Sequence, residues 1–179
     1  MNEILSKQQF SENVYKFVIK APAIARSRKA GHFVIIRVDK HGERIPLTIA
    51  EADTAKGTIT LVVQRVGVSS DKLCAMNIGD CLADVVGPLG KLTHIAKFGT
   101  VICAGGGVGV APMLPIATAL KAAGNRVVTV LAGRTKELII LEKEMRAISD
   151  ELVIMTDDGS YGNKGLITEG IENIIQKEK

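Results

Sequence analysis

The stretch Cys103-Ala-Gly-Gly-Gly-Val-Gly-Val-Ala-Pro112 decides how this sequence is read. An apolar strand pattern at residues 100–104 leads into it, and a helical pattern at residues 111–123 follows. Glycines between strand and helix let the backbone approach a phosphate, and the helix start offers free amides and a positive dipole end. Pro112 falls in the first helical turn, where its missing donor costs nothing. The spacing departs from G-x-G-x-x-G, because position 110 is Val110. A tight turn with no ligand is the competing reading. Residues 99–120 also carry no charge over a length that could span a bilayer. Their five glycines and two prolines break any single helix, so no membrane span is expected.

Working outward, the C-terminal half alternates strand and helix. Gly124-Asn125 ends the first helix, residues 126–132 form a strand and 137–148 a helix, then 152–156 a strand and 166–176 a helix. That rhythm builds a parallel sheet covered on both faces. Ligands of such sheets sit beyond the strands' carboxyl ends. There the sequence places Gly133 and Arg134 after one strand, and Asp157-Asp-Gly-Ser-Tyr-Gly162, with Asp158, after the next. A solvated charged loop and an ordinary turn explain these residues equally well.

The N-terminal half reads as strands: residues 14–20, 32–38, 45–50, 57–65 and 81–86, interrupted by a helix at 69–76 that Ser70 could cap. Short strands with turn signals between them point to a small antiparallel barrel or sandwich. The boundary falls near residue 97, giving domains 1–97 and 98–179. Within the first, Arg44-Ile-Pro-Leu-Thr48 puts Arg44, Pro46 and Thr48 on one strand face. Gln64-Arg-Val-Gly-Val-Ser-Ser70 passes through Gly67 into a helix and forms a second possible anion cradle. Gly87-Pro-Leu-Gly90 reads as a rigid turn.

Composition narrows the function classes. With 46% hydrophobic and 23% charged residues the chain is a folded protein, not a disordered one. Four Phe, two Tyr and no Trp leave little for stacking bases, and the net charge of +4 is mild, so no nucleic-acid partner is expected. Cys74, Cys81 and Cys103 fit neither a disulfide framework nor a metal site; they and the lack of a signal peptide suit the cytoplasm. His32, His41 and His94 are isolated, so neither an acid–base residue nor a metal ligand is assigned.

Taken in order, Gly42-Glu-Arg-Ile-Pro-Leu-Thr-Ile-Ala50, Val86-Gly-Pro-Leu-Gly90, the Gly105–Pro112 loop and Thr156-Asp-Asp-Gly-Ser-Tyr-Gly162 resemble the ferredoxin–NADP⁺ reductase superfamily of flavoproteins. The resemblance is narrower to the alpha subunits of NADH-dependent ferredoxin:NADP⁺ oxidoreductases and sulfide dehydrogenases, with the dihydroorotate dehydrogenase electron-transfer subunit close behind. It implies an antiparallel FAD-binding β-barrel followed by a parallel-sheet NAD(P)-binding lobe, flavin and nicotinamide meeting at the cleft between them. Pro46, Leu47 and Thr48 would hold the flavin. Arg44 lies one residue before the family's arginine position, which is Ile45. Val62, Val63 and Gln64 would line the ribityl chain and ring, and Gly67, Ser69 and Ser70 would cap the pyrophosphate. Gly105, Gly106, Gly107, Gly109 and Pro112 would form the platform for NAD(P)H, with Gly133, Arg134 and Asp158 at its rim.

The resemblance further implies electron transfer from NAD(P)H through FAD to an iron–sulfur centre or a larger partner subunit, in a heterodimer. Relatives continue into a cysteine-rich segment that ligates a [2Fe–2S] cluster. This sequence stops at Gln176-Lys-Glu-Lys179, so no cluster is expected in it and its lobe reads as truncated. With few rings available, the flavin would be held by aliphatic side chains and backbone, or be covered by a further segment or partner. A non-catalytic partner module and a sensor binding NAD(P) alone are the alternatives. The residues leave NADH against NADPH, and the final acceptor, open.

Overall fold

Residues Thr58–Gln64 carry the strongest strand pattern of the sequence, and all but the last are buried. They form the fifth of six antiparallel strands in the computed structural model, which describes residues 2–177. A first unit ends at Thr93 and a second begins at His94. The first runs β1 (Ile4–Ser11), β2 (Val14–Lys20), α1 (Pro22–Ser27), β3 (Phe33–Arg37), β4 (Arg44–Asp53), β5 (Thr58–Gln64), α2 (Val68–Ala75) and β6 (Asp84–Leu89). Its sheet order is β1-β2-β5-β4-β3-β6, every pair antiparallel. The open edges approach each other where Glu3 bridges Cys81 and the Ile4 amide donates to the Asp80 carbonyl, which closes the sheet toward a barrel. Phe17, Ile19, Val34, Ile36, Ile49, Ile59, Leu61 and Leu73 fill its core, each contributing about 1.5–3 kcal/mol by leaving water.

Two elements of this unit carry no sequence expectation, and one expectation needs correction. Strand β1 was not expected: its exposed positions, alternating only loosely, carry no periodic signal, and pairing with β2 makes it a strand. Helix α1 rests on Pro22 at its start and on Ile24 and Ala25 packing inward, within six residues too few to show a period. Gly87-Pro-Leu-Gly90 is no turn. Its first three residues belong to β6, and a Cβ at Gly87 would lie 2.7 Å from the Val34 side chain, so glycine permits the close strand approach.

The second unit runs β7 (Thr100–Gly106), α3 (Val110–Ala122), β8 (Arg126–Gly133), α4 (Glu142–Ile148), β9 (Glu151–Thr156), β10 (Asn163–Lys164) and α5 (Ile167–Lys177). The strands form one parallel sheet ordered β10-β9-β8-β7. Along β8, Val128 and Val130 join Met155 and Ile174 of α5 in one cluster. Thr129 points the other way, its hydroxyl 2.6 Å from that of Ser149 at the end of α4. Helices therefore cover both faces, as strand alternation requires.

The helix expected at 137–148 begins only at Glu142. Residues Lys136–Leu138 form one 3₁₀ turn, and Leu141 takes the left-handed conformation (φ 56°), which interrupts the helical run. Asn125, 3% exposed, ends α3: its Nδ2 donates to the Leu120 and Ala96 carbonyls, and its Oδ1 accepts the Phe98 and Gly99 amides.

Candidate functional site

In the first unit β4 lies beside β5, and the chain turns at residues 65–67 from β5 into α2. A cavity of about 320 Å³ opens there. Seven expected residues line it: Pro46, Leu47, Val63, Gln64, Gly67, Ser69 and Ser70. Glu43, Ile45, Val66 and Val68 join them and were not expected. Glu43 sits beside Arg44 in the quoted motif, and the valines flank Gly67, so position alone could have suggested all three.

Ser70 is the third residue of α2 rather than its cap. Its hydroxyl accepts the Val66 and Gly67 amides at 2.9 and 3.0 Å and donates to the Gly67 carbonyl at 2.8 Å. The buried hydroxyl thus shapes the loop and keeps Gly67 at the N-cap, where a Cβ would meet nothing within 4 Å. The first amides of α2 have no partner inside the helix and face this end. Ser69 donates to Glu43 Oε2 at 3.3 Å.

Arg44, Thr48 and Val62 do not line the cavity. The Arg44 guanidinium donates to Asp84 at 3.0 Å. Thr48 lies opposite Phe33 in the β3–β4 ladder, and Val62 faces the other side of the sheet from Val63. Cations around α2 are paired as well. Arg65 binds Asp71 at 2.8 Å, which raises the arginine's pKa, and Lys72 donates to Asp39 at 3.0 Å, which holds that carboxyl below the usual range.

In the second unit the strand ends Gly106, Ala132–Gly133 and Thr156 line up at the carboxyl edge of the sheet. The expected glycines divide by role. A Cβ at Gly105 would fall 3.2 Å from the Val110 Cα and from Met113 Cε, so this glycine lets α3 pack on the sheet. At Gly106 it would make ordinary contact with Ala132. Gly107 has φ +51°, and Gly109 closes a 3₁₀ turn; at both, a Cβ would project into open space. Pro112, exposed, is the third residue of α3. A Cβ at Gly133 would meet Ile139 at 3.1 Å.

The loops after β8 and β9 are clasped together. The Asp157 and Asp158 amides donate to the Gly133 and Arg134 carbonyls, and the Lys136 amide donates to Ser160 Oγ at 2.9 Å. Asp158 Oδ1 accepts the Ser160 amide and hydroxyl, which hold its carboxyl below the usual range. The Tyr161 hydroxyl donates to Glu142 at 3.1 Å, and that carboxylate raises the phenol's pKa. Lys136 Nζ lies 5.3 Å from the Tyr161 ring centroid. Arg134 and Asp158 are both exposed at this rim.

Cys74 and Cys103 are buried, which raises their pKa, and Cys81 is exposed. Among the described residues no three or more His, Cys, Asp or Glu side chains converge as metal ligands. No helix among them is long and apolar enough to cross a membrane.

Comparison with known proteins adds to this geometry. Residues 2–94 match the family described as oxidoreductase FAD-binding domain. The whole chain is 43% identical, over 179 residues, to a protein of Thermotoga maritima named as a homolog of the dihydroorotate dehydrogenase B (NAD(+)) electron transfer subunit, and spans 63% of it. The corresponding subunit of Geobacillus thermodenitrificans is 33% identical over 94% of this chain and 67% of its own. Among solved structures, one of an NADH-dependent reduced ferredoxin-NADP oxidoreductase, described in terms of flavin-based electron bifurcation, superposes with a TM-score of 0.92 at 42% identity. That match covers 98% of this chain and 63% of the other. Phthalate dioxygenase reductase, at 23% identity and a TM-score of 0.73, shares the fold. This chain therefore spans a little under two thirds of the first of these relatives.

Proposed function

The chain belongs to the oxidoreductase FAD-binding domain family, and from that premise we propose that it is a flavin-dependent electron-transfer subunit working with NAD(P)H. The observation that carries the reading is the first-unit cavity, which gathers Pro46, Leu47, Val63, Gln64, Gly67 and Ser69 inside the stretch that matches this family. The fit to FAD rests on the open space beyond Gly67 and on the free amides at the start of α2, suited to a pyrophosphate. In that role Pro46, Leu47 and Val63 supply the aliphatic wall and Gln64 a polar edge, while the Ser69 hydroxyl, which donates to Glu43, offers its oxygen. The buried Ser70 hydroxyl holds the loop in shape. Thr48 acts from the neighbouring strand surface and Val62 supports it from behind, while Arg44, bound to Asp84, holds the strand edge.

In the second unit Gly106, Gly107, Gly109 and Pro112 would receive the phosphates of NAD(P)H. The open space over Gly107 and Gly109 is a cradle that a Cβ would fill. Gly133, Arg134 and Asp158 form its rim, fixed by the clasp at Ser160. A flavin held by these residues would supply the chemistry of hydride acceptance from NAD(P)H and single-electron release to an acceptor. The protein's part is to bind and orient. The acceptor in this reading is an iron–sulfur centre or a larger oxidoreductase subunit, in keeping with relatives named as electron transfer subunits. Three free thiols suit a reducing cytoplasm.

A second reading is a module that binds flavin and a partner without turning over. Both are tested by loading the purified chain with FAD and titrating it with NADH and NADPH while following flavin absorbance. Binding with a dissociation constant below about 10 μM, followed by bleaching, supports the enzyme. Binding without bleaching supports the module. Failure to take up FAD overturns both.

A further inference from the structure

Among the described residues lining the first-unit cavity, Glu43 is the charged one. Its Oε2 accepts the Ser69 hydroxyl at 3.3 Å, so a carboxylate stands beside the second residue of α2. The neighbouring cations are occupied elsewhere: Arg44 by Asp84, Arg65 by Asp71 and Lys72 by Asp39. A ligand phosphate at this helix end therefore meets amide donors and one negative charge, to which the Ser69 hydroxyl already donates, with no lysine or arginine in the lining.

Such a site does not treat all phosphates alike. A phosphomonoester carries a charge of about −2 above neutral pH. A pyrophosphate linking two nucleosides bears about one charge on each phosphate, so the group nearest Glu43 is the weaker anion. We propose that Glu43 is a charge filter, by which this cavity selects a flavin joined through a pyrophosphate over a flavin ending in a phosphomonoester. The inference rests on reading the cavity as a flavin site and adds what that site refuses. Since Glu43 is exposed, the repulsion is that of one partly solvated charge pair, about fivefold in affinity, and it fades with salt.

The test uses the flavin-free full chain and its Glu43→Gln and Glu43→Lys variants. FAD, FMN and riboflavin are titrated by flavin fluorescence at about pH 8 and low ionic strength. Glu43→Gln is expected to tighten FMN about fivefold, FAD less than about twofold and riboflavin not at all, with Glu43→Lys moving FMN further. FAD and FMN shifting together, an unchanged FMN affinity, or a matching shift in riboflavin overturns the filter while leaving the flavin site standing. If the parent chain binds no flavin, the flavin reading falls and the filter falls with it.

Discussion

Arg44 and Asp84 are joined across 3.0 Å, and the same carboxylate oxygen lies 2.7 Å from Arg37 Nε. Arg37 faces Arg44 in the β3–β4 ladder and Asp84 in the β3–β6 ladder, so two like charges stand opposite each other with one shared counter-ion. Opposed like charges destabilise a sheet pair. Asp84→Asn is expected to lower stability by about 1–2 kcal/mol in urea unfolding, with a larger loss at low salt. Arg44→Ala in that background should recover part of the loss. If Asp84→Asn leaves the midpoint unchanged, the triad does no stabilising work.

The glycine loop before α3 separates packing from binding. Gly105→Ala pushes a methyl against the α3 backbone and should cost about 1–3 kcal/mol in thermal unfolding. Gly109 has φ −62° and open space at its Cβ, so Gly109→Ala should change stability by less than about 0.5 kcal/mol. The same variant should weaken NADH binding by about tenfold, because the methyl enters the space a phosphate would use. Unchanged binding in Gly109→Ala would remove the loop from the nucleotide site.

Much of the fold was legible because it is written in periods and punctuation. The buried run of β5, the strand–glycine–helix passage at 100–123 and the alternation of the second unit each carry a local signal. Strand β1 and helix α1 were not legible, since one is made a strand by its partner and the other spans six residues. The late start of α4 depends on Leu141 adopting φ 56°, a conformation no sequence pattern there announces.

The candidate site was legible where motif residues are neighbours in space. Pro46, Leu47, Gly67 and Ser69 come from two segments that the ladder of β4 and β5 draws together. Glu43 was within reach through its place beside Arg44 in the motif, but its role shows only once Ser69 is seen to donate to it. Ser70 belongs to the expected turn but not as a free cap, because its hydroxyl is spent on the loop's own amides.

Lys7 closes the other end of α2. Its ammonium donates to the Cys74 and Met76 carbonyls at 2.6 and 2.8 Å and lies 5.4 Å from the Tyr15 ring centroid. A cation at a helix C-terminus satisfies carbonyls that have no intrahelical partner. Lys7→Met keeps the aliphatic stem and removes the donors, and should cost about 1–2 kcal/mol. Hydrogen exchange should quicken across residues 68–76 more than across β5. An even change over the whole first unit would count against a local cap.

Acid should act on the second unit through Asp150. One carboxylate oxygen accepts from Lys121 Nζ at 2.6 Å and the other from the Val127 amide at 2.8 Å, and the lysine bond is the larger cause of the carboxyl's lowered pKa. A carboxyl depressed in the folded state contributes stability above its unfolded pKa, near about 3.9, and loses it as pH falls through the lower folded value. Asp39, Asp53 and Asp158 are shifted in the same direction, so the acid limb is shared among them. Asp150→Asn should therefore be less stable than the parent at neutral pH, and the gap should begin to narrow as the pH falls below about 4 and close only below the lowered folded value. Urea midpoints taken at neutral, mildly acidic and strongly acidic pH measure this directly. A gap that persists unchanged into strong acid would mean that Asp150 acts through its shape and not its charge.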